Sequence, residues 1–173
     1  MASYYYLISS LPMLKTQGEP PMDYEAFLAM CKSAVSGSVY KTLEELSVQA
    51  QKGPLLSQWA KFYQALSQEL AYQRNVKLGR PCTPPSDRPA ELVQTVTAAV
   101  NAENPLAGEQ ILLDLEFRRL DEMIGQHIFD EYALYGYAMK LQLLERQRGF
   151  RYDRGKQVFS GLMDNIRRQI SDL

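Results

Sequence analysis

The chain has 173 residues, 46% of them apolar and 23% charged, and a net charge of −1. The apolar share excludes an intrinsically disordered chain, and the length suits one domain able to bury a sizeable core. Near-neutrality argues against a general nucleic-acid binder, whose affinity comes from neutralising phosphates, while leaving room for a local basic patch.

Cys31 and Cys82 belong to no CxxC pair, so nothing in their spacing indicates zinc or a redox couple, and a reducing compartment is expected. The start, MASYYYLISSLPML, lacks a basic leader and is too short to span a bilayer. The expected location is the cytoplasm, at most peripheral to the inner membrane.

Tyr4 to Ile8 has strong β propensity without an evident partner strand, and reads as an extended or a short helical segment. Pro12 to Pro21 is a loop. Asp23 is placed to cap a helix whose apolar face is Tyr24, Phe27, Leu28, Cys31 and Val35. A shorter helix with Val39, Leu43 and Leu46 follows from a Ser38 cap. From Ser57 a long helix carries Trp59, Phe62, Tyr63, Leu66 and Leu70 on one stripe and stops at Gly79.

The prolines at 81, 84, 85 and 89 make residues 80–89 the clearest exposed loop and the candidate subdomain break within a single helical domain, 1–173. Ser86 or Asp87 is expected to cap the next helix, which buries Leu92, Val93, Val96, Ala99 and Val100. Asn104-Pro105 restarts the pattern in cap-then-N1 order, with Leu106, Leu113, Phe117, Leu120 and Ile124 on one face and Gly125 past the end. Asp130 then caps a helix from Glu131 that is apolar nearly all round, with only Gly136, Lys140 and Gln147 suited to water. It is expected to be central, with Gly136 admitting a neighbouring backbone and Gly149 ending it. A last helix from Asp153 is expected to turn Phe159, Leu162, Met163, Ile166 and Ile170 inward. The sum is an all-α compact helical bundle of six to seven helices.

His127, the only histidine, has Asp130 and Glu131 at i+3 and i+4, but a turn and a cap fall there and no second ligand pair exists, which argues against metal. Glu116, Asp121 and Glu122 alternate with Arg118 and Arg119, so a solvated face with local ion pairs is expected rather than general acid–base work. No serine lies in GxSxG, no cysteine has a nearby histidine, and no glycine-rich phosphate loop occurs. No catalytic, cofactor-binding or metal residue is assigned, and no cofactor is expected.

Eight acidic residues face two arginines between Glu103 and Glu131, whereas residues 146–168 hold seven basic side chains against Asp153 and Asp164. With Phe150, Tyr152 and Phe159 interleaved, the basic segment has the composition of a stacking surface for single-stranded nucleic acid or another anionic ligand. The other reading is a charged surface that pairs with the acidic helix or with a protein partner. The eleven tyrosines, Tyr4 to Tyr6 and Tyr132, Tyr135 and Tyr137 among them, suit either an interface or core aromatics with wet hydroxyls.

Tyr4-Tyr5-Tyr6-Leu7-Ile8-Ser9-Ser10-Leu11-Pro12, Asn104-Pro105-Leu106 and the run from Ala138 to Arg146 resemble the bacterial domain-of-unknown-function family 2764. Members of that family are encoded beside V/A-type ATPase subunits. The family in turn is similar to the V/A-type ATPase C subunit (d in eukaryotes), an all-helical central-stalk protein that couples the rotor shaft to the membrane ring. The resemblance implies a non-enzymatic helical subunit or accessory protein of a bacterial V/A-type ATPase. It would work by protein–protein contact in or near the central stalk and touch the membrane only through a ring of membrane subunits. The candidate partner interface is Tyr4, Tyr5, Tyr6, Tyr132, Arg148 and Arg151, and nucleic acid is not an expected partner. The alternative is a nucleic-acid or anionic-ligand module built on residues 146–168.

Overall fold

The computed structural model describes residues 4–148, 159–161 and 163. Up to Arg148 the chain forms seven α-helices: α1 (Tyr5–Ser10), α2 (Tyr24–Cys31), α3 (Gly37–Glu45), α4 (Leu56–Lys77), α5 (Ala90–Val100), α6 (Pro105–Ile124) and α7 (Glu131–Arg148). The described residues contain no strand, and the all-α expectation holds. No described helix is long and apolar enough to cross a membrane.

Helix α7 is central because its side chains are buried on several sides: Leu134, Tyr135, Ala138, Met139, Leu141, Leu143 and Leu144 all enter the main core. Phe27 and Cys31 of α2, Val39 and Leu43 of α3, Trp59 of α4 and Leu113, Phe117 and Leu120 of α6 complete that core. Fully burying one such Leu or Phe contributes roughly 1.5–3 kcal/mol, so α7 carries a large part of the drive to fold. A second core joins Leu66 of α4, Leu92, Val96 and Ala99 of α5, and Leu112 and Leu115 of α6. Phe62 and Tyr63 pack against both, which makes the first half of α4 the seam between them.

The polar side chains of α7 fasten loops that have no regular structure of their own. The Tyr137 hydroxyl donates to the Pro12 carbonyl at 3.0 Å. Gln142 accepts from the Val48 amide at 3.0 Å and donates to the Leu46 carbonyl at 2.8 Å, fixing the α3–α4 connection. A Glu145 oxygen accepts from the Tyr24 amide at 2.7 Å and so supplements the Asp23 cap of α2. Backbone groups that would otherwise be unpaired at a helix start and in loops are thereby satisfied.

The caps at Asp23, Asn104 and Asp130 stand where the sequence places them, and Gly79 and Gly125 end α4 and α6 at positive φ. Of the stretch Tyr4 to Ile8, Tyr4 is the N-cap and Tyr5 to Ile8 the start of helix α1. Several expectations need correction. Ser36, not Ser38, caps α3, accepting from the Val39 amide at 3.4 Å. Helix α5 has no side-chain cap, since Pro89 occupies that position and neither Ser86 nor Asp87 reaches the helix amides. Helix α4 begins one residue early, at Leu56, after Leu55 turns the chain at φ 62°. Burial of Leu55 and Leu56 offsets that strained conformation. Leu106 is exposed rather than inward.

The polar stripe of α7 faces α6, not water. A Cβ on Gly136 would lie 2.2 Å from Cδ1 of Ile124, so the glycine makes room for a side chain rather than for a backbone. Close backbone approach occurs instead at Gly108, where a Cβ would lie 2.6 Å from the Ala99 carbonyl oxygen and α5 meets α6. Lys140 pairs with Asp121 at 2.5 Å and lies over the Phe117 ring. Phe159 and Met163, expected inward, are exposed. Gly149, Asp153, Leu162, Ile166 and Ile170 lie outside the described residues.

The proline-rich loop is tied back to α4. Arg88 donates from Nε and Nη2 to the two carboxylate oxygens of Glu69 at 2.9 and 2.8 Å, and its guanidinium covers the Tyr72 ring at 4.8 Å. Gln73 adds a third donor to Glu69 at 2.8 Å, so this buried carboxylate is fully served.

Candidate functional site

The candidate interface residues separate into distinct places. Tyr4, at the N-cap of α1, is buried in the core, and its amide donates to the Phe129 carbonyl at 2.7 Å. That bond docks the start of α1 on the α6–α7 turn. Tyr5 and Tyr6, next along α1, point out at 52% and 88% exposure, while Ile128 and Phe129 of the turn stand at 63% and 37%. The Tyr5 ring sits 4.7 Å from Phe129 and 5.5 Å from Tyr6, centroid to centroid. The result is a clustered aromatic and aliphatic surface on which large apolar side chains meet water, as binding surfaces do. Ile128 and Phe129 carried no signal in the sequence, because turn residues fall outside any helical periodicity.

Tyr132 lies beside this patch without joining it. Its ring stacks on His127 at 4.7 Å, and His127 Nδ1 bonds the Asp130 carboxylate. Asp130 in turn accepts from the Tyr132 and Ala133 amides at 3.0 and 3.2 Å. Desolvation pushes the Asp130 carboxyl up, but the His127 and backbone hydrogen bonds outweigh it and hold the group below its usual range. The cluster therefore starts α7 and stiffens the turn that carries Phe129. No group of three or more potential metal-ligating side chains occurs among the described residues.

The acidic face of α6 is not uniformly solvated. Arg119 pairs with Glu122 at 2.6 Å, as local alternation predicts, whereas Arg118 reaches across to Glu91 of α5 at 3.0 Å. Glu116 corrects the expectation outright. It is buried, and both its oxygens accept from Arg146 of α7, from Nη1 at 3.1 Å and from Nη2 at 2.5 Å. Desolvation by burial raises the Glu116 carboxyl above its ordinary value, and the Arg146 guanidinium offsets only part of that rise. For Arg146, burial acts to lower and Glu116 to raise, with a net rise.

Arg146 is thus the first residue of the basic segment and the partner of the acidic helix, the pairing that one sequence reading anticipated. Arg148 ends α7 and is exposed. Arg151, Phe150 and Tyr152 lie outside the described residues. Comparison with protein-family models, with curated proteins and with solved structures gives no match.

Proposed function

We propose that this chain acts by protein–protein contact, as a non-enzymatic helical subunit or accessory protein of a bacterial V/A-type ATPase in or near its central stalk. The observation that carries the contact mode is the patch of Tyr5, Tyr6, Ile128 and Phe129 on a firmly capped turn. Tyrosine and phenylalanine are enriched at the buried centres of protein interfaces, where a rigid aromatic ring contributes large contact area at low entropic cost. The ATPase as partner rests on the resemblance of the Tyr4 to Pro12, Asn104 to Leu106 and Ala138 to Arg146 segments. The chain's role is mechanical: α7 and the helices around it form a stiff body, and the patch is where that body meets the stalk.

Deleting the gene and purifying the V/A-type ATPase from its native host tests the proposal. Loss of stable stalk assembly or of coupling is expected. An enzyme of full coupled activity purified from the deletion strain would overturn it.

A further inference from the structure

Between α4 and the first half of α6 lies a cleft of about 310 Å³ that Arg146 of α7 also lines. It stands at the opposite end of the α6–α7 hairpin from the aromatic patch: Gln147, near the end of α7, bonds Gln110, near the start of α6, at 2.9 Å. A second groove of about 320 Å³ shares Leu70, Arg74, Glu109 and Leu112 with it and continues over Leu78 and Val100, with Lys77 at its edge, where the Lys77 ammonium donates to the Val100 carbonyl at 2.5 Å. The two make one channel, charged where Arg146 and Glu116 line it and mostly apolar at the far end, where Lys77 is the one cation beyond the shared Arg74 among the described residues.

At the charged end, the Glu116–Arg146 pair is a fixture. A buried ion pair contributes little net stability once desolvation is counted, so its presence is better explained by what it holds in place. Two of the five guanidinium N–H donors of Arg146 go to Glu116, and the side chain remains 30% exposed in the cleft it lines. Arg74 lines the same cleft from α4, is exposed, and makes no ion pair among the described residues, unlike Arg88, Arg118, Arg119 and Arg146. Two cations converge here, one fixed in plane and one unspent. Glu109, on the facing wall, limits how much negative charge the cleft tolerates.

We infer that this channel binds a small amphipathic anion, with a single carboxylate or phosphate head between Arg74 and Arg146 and an apolar tail over Leu70, Leu78, Val100 and Leu112. Arg146 supplies a planar donor pair suited to either head, and Glu116 acts as its positioning residue. Each cleft volume is at the lower end of the ligand-pocket range of roughly 300–1,000 Å³, which suits a medium-length alkyl chain rather than a nucleotide.

Titration calorimetry with octanoate, octyl phosphate, acetate and octanol tests the inference. Octanoate, octyl phosphate or both should bind saturably at one site, more tightly than acetate and octanol, and the stronger of the two identifies the head. Arg74→Ala should weaken binding roughly tenfold or more, the effect of losing a charged hydrogen bond, without moving the unliganded melting midpoint, because Arg74 is exposed. Arg146→Lys, which keeps the charge but not the planar fork, should also weaken it. No saturable binding of either alkyl anion by about 10 mM, octanol binding equal to octanoate, or wild-type affinity in Arg74→Ala would each overturn the assignment.

Discussion

Arg146, two residues before the end of α7, closes both terminal guanidinium nitrogens, Nη1 and Nη2, on the carboxylate of Glu116, which is 1% exposed in the middle of α6. Removing one partner strands the other. Glu116→Ala should therefore destabilise the fold by about 3 kcal/mol, whereas Glu116→Leu with Arg146→Met should recover most of the loss. Urea unfolding of the two single variants and the double variant measures this as a coupling energy.

Glu69 should contribute to the acid response, beside Asp130, which is held low in the same direction. The hydrogen bonds from Arg88 hold the Glu69 carboxyl below the ordinary 4.5, with desolvation opposing. The unfolded chain then takes up the proton at a higher pH than the folded chain, so the contribution is complete above about 4.5 and is lost as pH falls through the lower folded value. Glu116 has the opposite sign, since its raised carboxyl binds the proton first in the folded state. Glu69→Gln should lower stability at neutral pH and flatten the decline below 4.5, as read from denaturant midpoints across pH.

Helix packing makes a contrast between two glycines. A Cβ at position 108 meets the Ala99 carbonyl, a backbone atom that cannot turn away, and one at position 136 meets the Ile124 side chain, which can. Gly108→Ala should cost about 1–3 kcal/mol despite the better helix propensity of alanine. Gly136→Ala should cost less, and pairing it with Ile124→Ala should abolish the steric part. Thermal melts of the three variants distinguish the cases.

Much of the fold was legible in the sequence because caps and 3.6-residue periodicity are local signals. Asp23, Asn104, Asp130, Gly79 and Gly125 each mark a boundary by the chemistry of a single side chain or by its absence. What was not legible depends on which helix faces which. Glu116 has the same local context as Asp121 and Glu122, and only the approach of α7 buries it while leaving them exposed. The stripe of Gly136, Lys140 and Gln147 reads as polar and yet faces α6, since a lysine there can bury its stem and still reach Asp121. Half of the aromatic patch was legible as Tyr5 and Tyr6. Ile128 and Phe129 were not, because a turn has no period to reveal its outward side chains.

The two thiols should differ sharply in reactivity. Cys31 is fully buried, and burial pushes its thiol up to about 11, so little thiolate forms at neutral pH. Cys82 is exposed in the proline-rich loop. A thiol reagent should modify Cys82 promptly and Cys31 only as the core opens, with the slow phase accelerating in sub-denaturing urea. Equal rates at both positions would contradict the burial of α2 against α7.

Affinity capture of the tagged chain from membranes of its native host, wild type beside Tyr6→Ser with Ile128→Ser, tests the docking claim most directly. Both substituted side chains are exposed, so the variant should fold and melt as the wild type does. Stalk subunits of the V/A-type ATPase should accompany the wild type and fall away with the variant. Absence of ATPase subunits from the wild-type capture, or their equal recovery with the variant, would contradict the assignment of the patch as the contact surface.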